Sequence, residues 1–336
     1  MTSKERCLNA IAGESVDRVP VFPLLMFFAV DRAKITYRQY ATEAAALADA
    51  QLNMRWRFGV DAITVCSDAF RLSADLGGEM DYPEMAPPRL VRPLVGSEAD
   101  LKRLSRPDPT AKGGRMADRV EGVRRLADAA GDECLVLGWI DMPFAEACAI
   151  CGITEFMMLL ADDPALAHKV LEFLTPLVID FTLAQVEAGA PMVGAGDAAA
   201  SLISPRMYRE FVLPYEQRVC EAVRERGGTI KLHICGNTNL LLPDMARCGA
   251  DLFNVDHMVD LGRAADVYSR AGKCFKGNLD PVTDMLQSTP DRCRQRALEC
   301  IHIAAGRPYM LSAGCEVPAG VSDETFRAFC ETPLQV

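Results

Sequence analysis

Short runs of consecutive apolar residues alternate along this chain with amphipathic stretches of helical spacing. The apolar runs are Val19–Leu25, Ala62–Cys66, Leu135–Ile140, Met192–Ala195, Ile230–Cys235, Leu252–Asp256, Cys274–Gly277 and Tyr309–Ala313. None alternates apolar with polar at every second residue, so each predicts a parallel strand buried on both faces. The helical stretches between them have legible ends. Thr2 and Glu5 are spaced as a capping box, and Glu43–Phe58 runs to Gly59 as its stop. Pro164–Ala188 and Pro205–Arg226 begin with proline in the first turn behind Asp163 and Ser204, with Pro214 predicting a kink in the second. Leu261–Ala271 and Pro290–Ala305 supply the later crossovers. Eight strand–helix units predict an α/β fold, a (β/α)8 TIM barrel forming a single domain over residues 1–336. It carries an N-terminal helix and a polar, proline-rich loop insertion near 68–93. No glycine-rich dinucleotide fingerprint follows the first strand, which counts against a Rossmann reading.

Composition narrows the function classes. Half of the 336 residues are hydrophobic and 24% are charged, enough to bury one large core. No apolar run reaches the ~18 residues of a membrane helix, and the polar start is unlike a signal peptide. The expectation is a cytoplasmic protein with no membrane association. Net charge is −10, and its basic residues are scattered rather than massed, which argues against nucleic acid as a partner. Exposed helix faces leave room for a homodimer. Thirteen cysteines sit within apolar segments, so most are expected to be small buried hydrophobes rather than a disulfide framework.

In this fold the chemistry lies at the C-terminal ends of the strands. One strand ends His233-Ile234-Cys235-Gly236, where residues two apart point the same way and glycine lets the chain turn off. The last strand ends Ala313-Gly314-Cys315-Glu316 at the same rim. An imidazole and two thiolates form a zinc set, with the fourth position open as in catalytic sites. Taken alone, a His-x-Cys in so cysteine-rich a chain leaves accident open. The strand-end carboxylates Asp68, Asp197 and Asp256, with Asn278 and Asp280, are candidates for substrate contact or helix caps. For Asp280 before Pro281 the cap is favoured. Small residues after Asp197 favour a functional role, with the carboxylate completing the metal shell. Glu316 can orient substrate or accept a proton. Cys148-x-x-Cys151 lies in a helical pattern without a second pair and reads as core, while His168 and His302 read as ordinary helix residues.

At several of these places the chain resembles the uroporphyrinogen decarboxylase superfamily. The matching phrases are Ser67-Asp68 with Leu76-Gly77, Leu202-Ile203-Ser204-Pro205 leading to Tyr208–Tyr215, and Gly277-Asn278-Leu279-Asp280-Pro281. The decarboxylase's Met-Arg-Gln-Ala-Gly-Arg signature is replaced by Leu24-Leu25-Met26-Phe27-Phe28-Ala29, and its last-strand histidine turn by Gly314-Cys315. His-x-Cys with a distant Cys is similar instead to the corrinoid-dependent methyltransferases of this superfamily. That resemblance implies zinc on His233, Cys235 and Cys315, and a cobalamin carried by a partner corrinoid protein. It also implies a small-molecule methyl donor or acceptor, with Asp197 and Glu316 as catalytic candidates and Asp68, Asp256, Asn278, Met26 and Phe27 as substrate contacts. Two directions follow. Either a phenyl methyl ether gives its methyl group to the corrinoid, or a thiol such as coenzyme M takes one from it. The apolar Leu24–Val30 stretch suits a flat aromatic wall and favours the ether, whereas a sulfonate would want an arginine, for which Arg71 is the candidate.

Overall fold

The computed structural model describes residues 1–335. Seven parallel strands curl in chain order: β1 (Ala62–Thr64), β4 (Leu135–Asp141), β5 (Met192–Gly196), β6 (Thr229–His233), β7 (Leu252–Asn254), β8 (Cys274–Leu279) and β9 (Tyr309–Ala313). Two further strands, β2 (Met80–Asp81) and β3 (Arg89–Leu90), form an antiparallel hairpin within the 68–93 stretch. That stretch also holds the helix Arg71–Asp75, so it is partly ordered secondary structure rather than plain loop. Among the described residues no single helix is long and apolar enough to cross a membrane.

The first expected strand, Val19–Leu25, does not form as a strand. It contributes only isolated parallel bridges, Val21 to Leu311 and Leu24 to Glu316. Pro20 and Pro23 explain this, because proline donates nothing to a ladder. Asp61 stitches the seam instead. Its buried carboxylate accepts from Val21 N at 2.7 Å, and from Arg6 at 2.8 Å and Arg18 at 2.7 Å. Its own N–H donates to Val21 O at 2.8 Å. Arg6 comes from the N-terminal helix Ser3–Ala12, whose Thr2–Glu5 capping box is present and whose Cys7 and Ala10 pack under the barrel floor. The expected long helix from Pro205 divides into Pro205–Phe211 and Leu213–Glu225, since Pro214 can only begin a helix, not continue one.

Inside the barrel the side chains stack in layers. Leu135, Leu137, Met192, Leu252, Cys274, Met310 and Phe22 form the floor. Above it Trp139 lies across Gly194, where any Cβ would collide with the indole. Lys231 and Lys276 are buried at this middle level. Lys231 Nζ sits 4.4 Å over the Trp139 ring, and Lys276 Nζ donates to Phe22 O at 2.6 Å and to Ser312 Oγ at 3.1 Å. Burial lowers both ammonium groups, Lys231 to about 8. The next layer up is the site.

Removing Asp61 leaves two arginines and a strand N–H without their shared acceptor. Asp61→Ala is expected to cost on the order of 3–5 kcal/mol, a drop in Tm on the order of 10 °C by calorimetry. An unchanged Tm would show that the seam is held by packing alone.

Candidate metal centre and substrate cavity

Hydrogen-bond register places three residues level across adjacent strands. Asp141 of β4 pairs with Gly196 of β5, and Gly196 pairs with His233 of β6. His233 Nδ1 lies 3.3 Å from Asn254 O, a backbone acceptor that orients the ring and leaves Nε2 for a metal. Nε2 faces Cys235 Sγ at 3.1 Å. Gly236 then turns the chain with φ +85°. Cys315 arrives from the far side of the sheet, its Sγ 3.8 Å from that of Cys235. Gly314 makes this approach possible, because a Cβ there would run into the backbone of His257. The Asn254 amide donates to Gly314 O at 3.1 Å, so one residue steadies both ligand-bearing segments.

The donor set fits zinc. Two zinc–thiolate bonds of about 2.3 Å at a tetrahedral angle separate their sulfurs by about 3.8 Å. The three ligand atoms lie within 4.8 Å of one another and form the one such group of His, Cys, Asp or Glu among the described residues. The sulfurs already behave as a pair. A hydrogen bond from Cys235, aided by His233, draws the Cys315 thiol down, and the same contact together with burial pushes Cys235 up.

The group opens onto a cavity of about 590 Å³. Its walls are Met26, Phe27, Tyr37, Phe70, Trp139, Ile153 and the prolines at 87, 88 and 93, with Cys148 at one side. Glu316 joins metal loop to wall. Its carboxylate accepts from Phe27 N and so caps the helix Phe27–Ala33, which has no cap of its own; burial pushes it up to about 8. Asp68 also borders the cavity, but it is occupied by Arg115 at 2.7 Å, Ser67 Oγ and Phe70 N.

Three expected residues lie elsewhere. Asp197 is fully buried and absent from the cavity wall; burial and Glu216 raise it well above the usual carboxylate range, and Glu216 is itself pushed up to about 7 by burial. The two carboxyls lie behind the wall, with Tyr208 donating to Glu216, so Asp197 does not guard the metal position. Asp256 binds Met258 N at 2.9 Å, and the Asn278 amide donates to Asp256 O and Val259 O, both tying strand-end loops. Asp280 is the cap of the turn Pro281–Leu286. Cys148 and Cys151 are buried core residues, and His168 bonds Tyr215 at 2.8 Å.

Arg71 and two carboxylates form a buried polar cluster, of which only Asp141 borders the cavity. Arg71 is fully buried and paired with Asp141, and Glu146 lies close by, pushed well up by burial and by Asp141. Neither carboxylate was among the sequence candidates. Asp141 stands one residue beyond the expected end of its strand and precedes a helix that starts at Pro143, which disguises it as a cap.

The uroporphyrinogen decarboxylase (URO-D) family matches residues 2–333. The chain belongs to the uroporphyrinogen decarboxylase family. Within that family, it is 26% identical to the methylcobamide:CoM methyltransferase of Methanosarcina acetivorans over 94% of this chain and 93% of that one. It is 25% identical to the uroporphyrinogen decarboxylase of Prochlorococcus marinus, over 98% and 96%. A solved methyltransferase from Methanosarcina mazei superposes with a TM-score of 0.90 at 23% identity, covering 100% of this chain and 99% of that one, which shows that the family barrel is conserved here.

The Asn254 tie is testable apart from the ligands. Asn254→Leu keeps the backbone acceptor for His233 and loses the bond to Gly314, so zinc affinity in a chelator competition should fall about 10- to 100-fold. Unchanged affinity would mean that Cys315 is placed without it.

Proposed function

We propose that this protein is a zinc-dependent methyltransferase that moves a methyl group from a methylated small molecule to the cobalamin of a separate corrinoid protein. The observation that carries this reading is the His233–Cys235–Cys315 group at the base of an apolar cavity. In that ligand set zinc supplies Lewis acidity at an open fourth position. The methyltransferase relative named above supports transfer to or from a corrinoid.

The protein's own residues do the rest. His233, Cys235 and Cys315 hold the metal, and Asn254 fixes two of their segments. Phe27, Tyr37, Phe70 and Trp139 offer flat apolar faces, and the prolines at 87, 88 and 93 add to the apolar lining. Glu316 holds the Phe27 wall beside the metal loop. These walls favour a phenyl methyl ether, so the reaction is an O-demethylation.

Charge separates this reading from two others. A coenzyme M-type thiol brings a sulfonate, and a porphyrinogen brings several carboxylates; each wants cations free in the cavity. Arg71 pairs with Asp141 and Arg115 with Asp68, and neither arginine borders the cavity. Arg92 is the one arginine on the wall, and it stands at the exposed mouth near Glu79 at 3.5 Å.

Zinc-loaded protein mixed with Co(I) cobalamin and methoxyarenes should form methylcobalamin, read by absorbance, and Cys315→Ala should lower the rate at least about 100-fold. Turnover only from methylcobalamin to thiols would reverse the direction. No transfer in either direction would end the methyltransferase reading.

A further inference from the structure

Asp141 presents one carboxylate oxygen to the cavity and hides the other. Oδ2 is clamped by Arg71, whose guanidinium is fully buried. Oδ1 has no hydrogen-bond partner among the described residues. It lies beside Gly196, where an added Cβ would come within 2.9 Å of it and 3.8 Å of Trp139. Asp141, Gly196, Trp139 and His233 all border the same cavity. Strands are spaced by about 4.8 Å, so Asp141 and His233 stand roughly 10 Å apart at their Cα atoms with only a glycine between them. That missing side chain leaves a slot with a metal ligand at one end and an unfilled hydrogen-bond acceptor at the other.

We propose that Asp141 is the specificity-determining residue of this cavity and selects an aromatic methyl ether that also carries a hydroxyl group. The ring lies in the slot over Gly196, its methoxy oxygen toward the His233–Cys235–Cys315 group and its hydroxyl donating to Asp141 Oδ1. The choice of a neutral donor over a cation follows from charge. Arg71 offsets Asp141, Arg115 offsets Asp68, burial favours the uncharged form of Glu316, and Arg92 at the mouth is positive, so the wall has no unpaired anion for an ammonium group to answer. Burial lifts the Asp141 carboxyl against the pull of Arg71, and with Oδ2 held by that guanidinium it is Oδ1 that is left to accept. The proposal rests on the methyl-ether reading for the methoxy end of the molecule, but its own evidence is the slot and the acceptor.

The test is equilibrium binding by calorimetry, with no turnover required. Its probes are 2-methoxyphenol, 1,2-dimethoxybenzene and (2-methoxyphenyl)trimethylammonium. The wild type should bind the phenol at least about tenfold more tightly than either other probe, as expected of a hydrogen bond to a charged acceptor. In Asp141→Asn the amide oxygen faces Arg71 and the NH2 faces the slot, so the preference for the phenol should fall to about threefold or less. Gly196→Ala fills the slot and presses on Asp141 Oδ1, and should weaken all aromatic probes by at least about tenfold. Equal binding of phenol and diether, a preference retained in Asp141→Asn, tighter binding of the ammonium probe, or unaltered binding by Gly196→Ala would each overturn the proposal. So would failure of every probe to bind. A phenol preference without methyl transfer would keep Asp141 and remove the reaction, and transfer without preference would do the reverse.

Discussion

The register of β4, β5 and β6 is the constraint on which the mouth of this barrel depends. Because Asp141, Gly196 and His233 are locked level by backbone hydrogen bonds, the imidazole of the candidate metal group and the carboxylate facing the cavity are set by the sheet. A shift of one residue would turn each of them out of the barrel and into the helical layer. The layers beneath make the register costly to change, since Trp139 is seated against Gly194 and the floor is packed with apolar side chains.

Two devices complete what the ladder leaves undone. At the seam, prolines deny the 19–25 segment a full set of donors, and the Asp61 carboxylate takes over with two arginines and one backbone N–H. Near the metal ligands, the Asn254 amide holds Gly314, which can lie so close to His257 only because it has no side chain. Buried polar groups are thus placed where the repeating backbone pattern fails. Asp141 Oδ1 is left without a partner and faces the cavity.

Much of this was legible in the sequence, for identifiable reasons. Parallel strands buried on both faces read as unbroken apolar runs, and seven of the eight expected runs are strands. Val19–Leu25 failed because apolar character does not report the missing N–H of Pro20 and Pro23. His233 and Cys235 were visible because a strand repeats every two residues, and Cys315 because it follows another strand end. Asp197 obeyed the same rule and misled, since its partner Glu216 lies on a helix that pattern reading cannot place against it. Asp141 and its pairing with Arg71, itself a candidate for a different role, were hidden for the same reason: the two are 70 residues apart, and nothing local signals a buried pair.

The central claim is a three-ligand metal centre, with one imidazole and two thiolates and an open fourth position. X-ray absorption at the zinc edge of the purified, metal-loaded protein tests it most directly. The expected first shell is two sulfurs at about 2.3 Å with two lighter nitrogen or oxygen neighbours at about 2.0–2.1 Å. A shell of four sulfurs, or of oxygen and nitrogen alone, would contradict it.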